Sequence, residues 1–349
     1  MATLSPRDVR LALAADDIPA SGPVAVFRPL PADRLEGVAP ERLRIYTGFR
    51  PDHDAFAARG LAVARAPEAG TRHAAAVVCV PRARALAQGL IAAACAVTDG
   101  PVLVDGQKTD GVDATLRAVR ARVAVGAPMA KAHGKLFVLD GPAGAAALAD
   151  WRLAPQPVAG GFVTAPGVFS ADGPDPGSVA LAAVLPTAMP GMVADLGAGW
   201  GWLAAQVLAR EGVRELHLIE AEADALDCAR VNITDSRARF HWADATAFRP
   251  PAPVDAVVCN PPFHTGRSAD PALGRAFVTA AAGMLAPAGT LWLVANRHLA
   301  YEDSLAAAFA QVTRLDDATG AYKLFRADRP RRQPARGPQR PPTHQGRRR

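Results

Sequence analysis

From residue 192 onward, short apolar runs alternate with longer stretches whose apolar positions recur every three or four residues. The runs read as buried strands and the longer stretches as amphipathic helices. MVADLGAG (192–199) predicts a strand entering a loop, with a helix following in GWLAAQVLARE. ELHLIEA (215–221) is a strand and EADALDCARVNI a helix; ARFHWAD (238–244) and DAVVCN (255–260) are strands. PALGRAFVTAAAGML (271–285) is a helix, TLWLVAN (290–296) a strand and EDSLAAAFAQV (302–312) a helix. Val312–Leu315 and Tyr322–Arg326, joined by DDATGA, predict a closing antiparallel hairpin. This order implies an α/β fold with a seven-stranded, mostly parallel sheet flanked by helices.

A fainter copy of the pattern occupies the first half. HAAAVVCVPRARA (73–85) aligns with PVDAVVCNPPFHT (253–265), which sets Cys79 against Cys259. PVLVDGQ (101–107) aligns with TLWLVANR (290–297), and HGKLFVLD (133–140) with GAYKLFRAD (320–328). Three matches in one order predict two tandem domains of one fold. We place them at residues 1–155 and 160–328, with the boundary in WRLAPQPVAGG. A chain of 349 residues is long enough for both.

Charge adds a third segment. The stretch from Arg329 to Arg349 holds eight arginines and no acid, so the net charge of +6 leaves residues 1–328 at about −2. Pro, Gly, Gln and Arg without apolar residues build no core, so 329–349 is expected to be a disordered basic arm. It is either a tether for RNA phosphates or a plain solvated tail. The whole chain carries 35 arginines to 4 lysines, a bias that runs along its length, so single arginines carry little information. No apolar run is long enough to span a membrane, and the N-terminus lacks a continuous apolar signal. Cys79, Cys95, Cys228 and Cys259 are far apart and form no CxxC, which predicts neither metal site nor disulfide and fits a cytoplasmic protein.

The chemistry lies in the second half. In VADLGAGWGWLAAQVL (193–208), Asp195 precedes Gly197, Gly199 and Gly201, at the end of a strand and the start of a helix. Glycines let backbone approach a ligand closely, and the helix start offers free N–H groups to a carboxylate. Dehydrogenases place G-x-G-x-x-G there. G-x-G-x-G with an acid two residues earlier suits an amine beside a carboxylate better than a pyrophosphate. Glu220 ends the next strand, where a carboxylate accepts ribose hydroxyls. Asp244 ends the third, placed to accept from an adenine amino group, with the Ala245 N–H toward a ring nitrogen. Alone, either acid reads as a helix cap. In series they outline S-adenosylmethionine, with Ala198 and Ala221 completing the expected contacts.

The fourth strand ends in Asn260-Pro261-Pro262-Phe263. An [ND]PP[FYW] motif at this point marks methyltransferases acting on exocyclic or amide nitrogens. PGVFSADGPDPGS (166–178), NPPFHTG (260–266), LVANRHLAYEDSL (293–305) and TGAYKLFRA (319–327) extend the match. Over residues 70–327 the chain resembles the RsmC/RlmG family of ribosomal RNA guanine-N2 methyltransferases. That resemblance implies a degenerate methyltransferase-like first domain that holds substrate and an active second one. It implies ribosomal RNA or a ribosomal subunit as partner, the small subunit being slightly favoured; a monomer is expected. It also brings Phe169, Asp175 and Ser178 toward the cofactor pocket, although Asp175 and Ser178 read first as a helix N-cap. Trp200 and Trp202 depart from the family's smaller residues, and pack either over the cofactor or behind the helix.

A guanine amino group is a poor nucleophile because its lone pair is delocalised. The Asn260 carboxamide oxygen and the Pro261 carbonyl are placed to accept its two protons and aim the lone pair at the cofactor methyl. Neither is a base, so catalysis would be mostly positioning. Phe263 would stack on a base drawn out of its helix. His264, Asn296 and Arg297 stand at the same edge without an assigned task. An adenine-N6 or protein-glutamine methyltransferase shares the Asn-Pro-Pro core, and a non-catalytic RNA-binding protein would follow if the tryptophans blocked the loop.

Overall fold

A computed structural model describes residues 4–189, 191–262, 264–265, 268–269, 271–317 and 320–331; for 264, 265, 268, 269 and 271 it describes backbone only. The first domain holds strands β1 (Val24–Phe27), β2 (Leu43–Tyr46), β3 (Ala62–Ala64), β4 (Ala75–Cys79), β5 (Pro101–Gln107), β6 (Met129–Lys131) and β7 (Gly134–Asp140). Its helices are α1 (Pro6–Leu13), α2 (Arg50–Ala58), α3 (Arg84–Ala96), α4 (Val112–Arg120) and α5 (Gly141–Ala147). A two-strand ribbon, β8 (Gln156–Val158) with β9 (Phe162–Thr164), follows.

The second domain contains α6 (Pro176–Val184), β10 (Met192–Leu196), α7 (Trp202–Leu208), β11 (Glu215–Glu220), α8 (Ala223–Asn232), β12 (Ala238–Trp242) and β13 (Val254–Cys259). After a short ribbon of β14 (His264–Thr265) and β15 (Ser268–Ala269) come α9 (Pro271–Met284), β16 (Leu285–Asn296), α10 (Glu302–Ala308), β17 (Phe309–Leu315) and β18 (Tyr322–Pro330).

The two seven-stranded sheets have the same topology. Their orders are β3-β2-β1-β4-β5-β7-β6 and β12-β11-β10-β13-β16-β18-β17. In each, the first five strands of that order pair in parallel and the last two pairings are antiparallel. The aligned segments of sequence fall on equivalent strands: β4 with β13, β5 with β16, β7 with β18. Cys79 and Cys259 each end the fourth strand, and both are buried. The duplication is therefore one of whole domains.

Alternate residues of the second sheet feed two separate cores. Val257, Cys259, Leu291 and Leu293 pack with Phe277 of α9 and Leu305 of α10. Ala256, Val258, Trp292 and Val294 pack with Leu181 of α6 and Leu203 of α7. Burial on both faces explains why these strands read as unbroken apolar runs. Two boundaries differ from the pattern-based reading. The helix expected through Val312 stops at Ala308, because buried Phe309 begins β17 and Val312 pairs with Ala327. The closing strand runs to Pro330, and the Arg331 N–H still donates to the Ala308 carbonyl. Residues 332–349, most of the expected basic arm, lie outside the described residues.

Candidate active site

Three loops meet at the carboxyl ends of β10 and β13. The first is the glycine loop. Gly197, Gly199 and Gly201 all have positive φ (76, 57 and 91°), a region costly to residues with a Cβ. They do different work. A Cβ on Gly199 would meet nothing, so that face is open, whereas one on Gly201 would stand 2.9 Å from Ile233 and 3.2 Å from the Ala229 Cβ. Gly201 thus serves close packing of α7 on α8, while Gly197 and Gly199 expose backbone to the cleft.

Two acids sit beneath this loop. Asp195 is buried next to last in β10, and its Oδ2 has no hydrogen-bond partner. Burial, and then the neighbouring Glu220 charge, push its carboxyl up to about 8. Glu220 ends β11; its Oε2 accepts from the Gly199 N–H at 2.8 Å and its Oε1 from the Glu222 N–H at 2.7 Å. Burial raises its pKa also, against those hydrogen bonds. A buried carboxyl beside a half-buried one favours a ligand that brings positive charge.

The second loop carries Asn260. Its Nδ2 donates to Asp175 Oδ2 at 2.8 Å and to Ser178 Oγ at 2.9 Å. A carboxylate only accepts, so this contact fixes which end of the carboxamide is nitrogen. The Oδ1 is left buried without a donor. Asp175 Oδ2 also accepts from the Ser178 N–H at 2.8 Å, so it caps α6 and anchors Asn260 together. Asp195 Oδ2 and Asn260 Oδ1 are two orphaned acceptors in one cleft, and a buried acceptor without a donor is costly. S-adenosylmethionine, with an ammonium group and a sulfonium, fits the first, and an amino substrate fits the second.

The third loop precedes α6. Phe169 is 57 % exposed and stands over the cleft with Ser170, whose φ is 53°. The buried Trp200 holds this loop: its Nε1–H donates to the Ser170 carbonyl at 3.2 Å, and its ring meets Phe162 edge-on at 5.5 Å. Trp200 packs with Val168, Ala225 and Cys228, and both it and the half-buried Trp202 of α7 also line the cleft.

The cleft gathers Phe169, Asp195, Gly197, Ala198, Gly199 and Asn260, with Asp175 and Ser178. Gly201, Glu220, Ala221, Asp244 and Ala245 stand outside its lining. Glu220 reaches it through Gly199. Asp244 follows β12 on the same edge, and its Oδ1 accepts from the Thr246 N–H and Oγ1 at 2.8 and 2.7 Å, the local cap that its sequence also allowed. Ala245 is buried. The Ala221 carbonyl turns away, toward the first domain. Pro261 is buried and Pro262 exposed; Phe263 lies outside the described residues, as does the His264 side chain. The anchoring of Asn260 by Asp175 and Ser178 was not evident from sequence, where only the D-x-x-S cap signature shows.

The first domain holds a different constellation. Arg7 and Arg10 of α1, the helix equivalent to α6, run into Asp105 of β5 (Arg7 Nε to Oδ1 3.0 Å, Arg10 Nη2 to Oδ1 2.9 Å), and Arg7 also pairs with Asp33. All four are buried. The charge is internally matched, and among the described residues no orphaned acceptor is left there.

Comparison with known proteins agrees with this asymmetry. Residues 159–326 match the methyltransferase small domain. The chain is 33 % identical over 265 residues to ribosomal RNA small subunit methyltransferase C of Shewanella sp. (strain MR-7), covering 71 % of this chain and 75 % of the relative. The chain belongs to the ribosomal RNA small subunit methyltransferase C family. The Shewanella oneidensis member is 32 % identical over 260 residues, with 71 % and 75 % covered. Among solved structures, T. thermophilus 16S rRNA N2 methyltransferase RsmC, in complex with AdoMet and guanosine, superposes with a TM-score of 0.73 at 25 % identity, over 93 % of this chain and 92 % of that one. Members of this family use S-adenosylmethionine, and the tandem-domain architecture is common to both structures.

Proposed function

We propose that the second domain transfers a methyl group from S-adenosylmethionine to the exocyclic N2 of a guanine in small-subunit ribosomal RNA. The observation that carries this reading is the buried, unpartnered Oδ1 of Asn260, held in place by Asp175 and Ser178. That oxygen and the Pro261 carbonyl accept the two amino protons and turn the nitrogen lone pair toward the cofactor. The cofactor, when bound, supplies an electrophilic methyl group. Asp195 takes its ammonium end, the Gly197–Gly199 backbone its carboxylate, Glu220 its ribose hydroxyls and Asp244 its adenine amino group. Phe169 covers the cleft from water. No side chain needs to remove a proton before transfer, since the nitrogen becomes acidic on alkylation, so the residues act by orientation.

The first domain, with its counterpart site closed by ion pairs, acts as the substrate-holding module. The protein works as a monomer in the cytoplasm, and no described helix is long and apolar enough to cross a membrane. The test is direct: incubate the protein with labelled S-adenosylmethionine and each ribosomal subunit, then identify the labelled nucleoside. N2-methylguanosine in small-subunit RNA is expected. Label on adenine, on protein or in the large subunit would overturn the assignment.

A further inference from the structure

The first domain keeps the backbone turn of the cofactor loop but replaces its glycine. In the second domain β10 ends and Gly197 follows with φ 76°; in the first, β1 ends and Arg28 follows with φ 50°. β1 and β10 occupy the same place in their sheets. A left-handed φ at a residue with a Cβ persists only where surrounding contacts enforce it. The Arg28 N–H donates to the Tyr46 carbonyl of its own domain, as the Gly197 N–H does to Ile219, while its side chain is held by the other domain. Arg28 Nη1 donates to Glu222 Oε1 at 3.1 Å and Nη2 to Oε2, a two-pronged ion pair that is mostly shielded from solvent.

Around this pair the domains are joined by backbone. Phe49 and Glu222 form an antiparallel bridge. The Arg50 N–H donates to the Ala221 carbonyl and the Ala223 N–H to the Gly48 carbonyl, both at 2.9 Å. Trp242 Nε1–H lies between, 2.9 Å from both the Gly48 and Ala221 carbonyls, with the Arg50 guanidinium 4.9 Å from its ring. Residues 47–50 follow β2 and residues 221–223 follow β11, which are equivalent strands. The same loop of each copy therefore pairs with the other, in the self-complementary manner of a twofold interface.

This junction abuts the cofactor acids. Glu222, gripped by Arg28, gives its N–H to Glu220 Oε1, and Glu220 Oε2 holds the Gly199 N–H. Trp242 ends β12, two residues before Asp244. We propose that Arg28 and the Gly48–Arg50 loop are positioning elements for the adenosine end of the cofactor site, so that the inactive domain sets cofactor affinity in the active one. The inference rests on Glu220 as the ribose acceptor.

The test uses full-length protein, titrated calorimetrically with S-adenosylhomocysteine and assayed on small ribosomal subunits. Arg28→Ala should weaken binding by about fivefold or more, in the range of coupling between sites. It should raise KM for S-adenosylmethionine with kcat nearly unchanged, a split that general loss of structure does not give. Arg28→Lys should recover part of the loss. Gly48→Ala, whose Cβ would lie 2.9 Å from Glu222 Oε1, should act in the same direction. If Arg28→Ala folds poorly, Gly48→Ala decides by the same criterion. Glu220→Gln separates the two readings. Normal affinity in Glu220→Gln overturns the ribose assignment and, with it, this inference. Weakened binding there, with parental affinity in both Arg28→Ala and Gly48→Ala, overturns the positioning role alone.

Discussion

Asp175 and Asn260 lie 85 residues apart in sequence and share a hydrogen bond of 2.8 Å, the Asn260 Nδ2 donating to the Asp175 carboxylate. One carboxylate thus performs two tasks, capping the start of α6 and fixing the direction of the carboxamide that faces the substrate. Without it, either end of the Asn260 amide could face the cleft, and an Nδ2 there would meet an incoming amine donor to donor. Asp175→Ala should lower kcat while leaving S-adenosylhomocysteine affinity near that of the parent. It should also lower stability by about 1 kcal/mol through the lost cap. Asp175→Asn keeps an acceptor for both contacts and should restore most activity. Steady-state kinetics beside thermal melts would separate the effects, and equal kcat in Asp175→Ala and the parent would refute the orienting role.

Asn260→Ala removes the acceptor itself. Losing a preorganised polar group aimed at reacting atoms typically costs roughly 10²- to 10³-fold in kcat, and a loss of that size is expected here. Cofactor binding should survive, because the Asn260 Oδ1 faces the amino group and not the cofactor's charged ends. Turnover within a few-fold of the parent would show that the guanine nitrogen is oriented by something else.

Asp195 links cofactor binding to protons. Its carboxyl is pushed up to about 8 by burial and by Glu220, so at pH 7 the folded protein holds a proton there that the unfolded chain releases. A raised acid stabilises below its unfolded pKa, near 4, and that contribution fades as pH climbs toward 8. Bringing the cofactor ammonium to this carboxyl should favour its ionised form and expel the proton. Calorimetry at pH 7 in buffers of different ionisation enthalpy should therefore report proton release on S-adenosylmethionine binding. Asp195→Asn should abolish that release and weaken binding. Identical apparent enthalpies in all buffers for the parent protein would contradict the assignment.

Much of this was legible in the chain and some was not. The Ala/Val-rich runs ending at Leu196, Glu220 and Cys259 declared the parallel sheet because each is buried on both faces, and the glycine loop declared itself by spacing. The hairpin boundary at Phe309 was not legible, since helix and strand periodicities coincide over AAAFAQV. Trp200 could not be placed either: whether an indole lies over or behind a loop depends on Ser170 and Phe162, thirty or more residues away. The contacts of Asn260 and the clasp on Glu222 arise between distant segments, and no local pattern encodes them.

The basic arm remains to be tested as a tether, and the structure moves the place to cut. Arg331 Nε donates to the Phe309 carbonyl at 2.9 Å, and β18 runs to Pro330, so truncation at 328 would cut into β18 where it pairs with the edge strand β17. Ending the chain at Arg331 instead removes six arginines and leaves the hairpin whole. Each phosphate neutralised contributes about 0.7 to the logarithmic salt slope for single-stranded RNA, so the slope should fall by up to roughly 4 if all six engage. Affinity for the ribosomal subunit should drop most at low salt, while S-adenosylhomocysteine binding stays at the parental value. A salt slope equal to that of the full chain would make the arm a solvated tail and leave RNA recognition to the two folded domains.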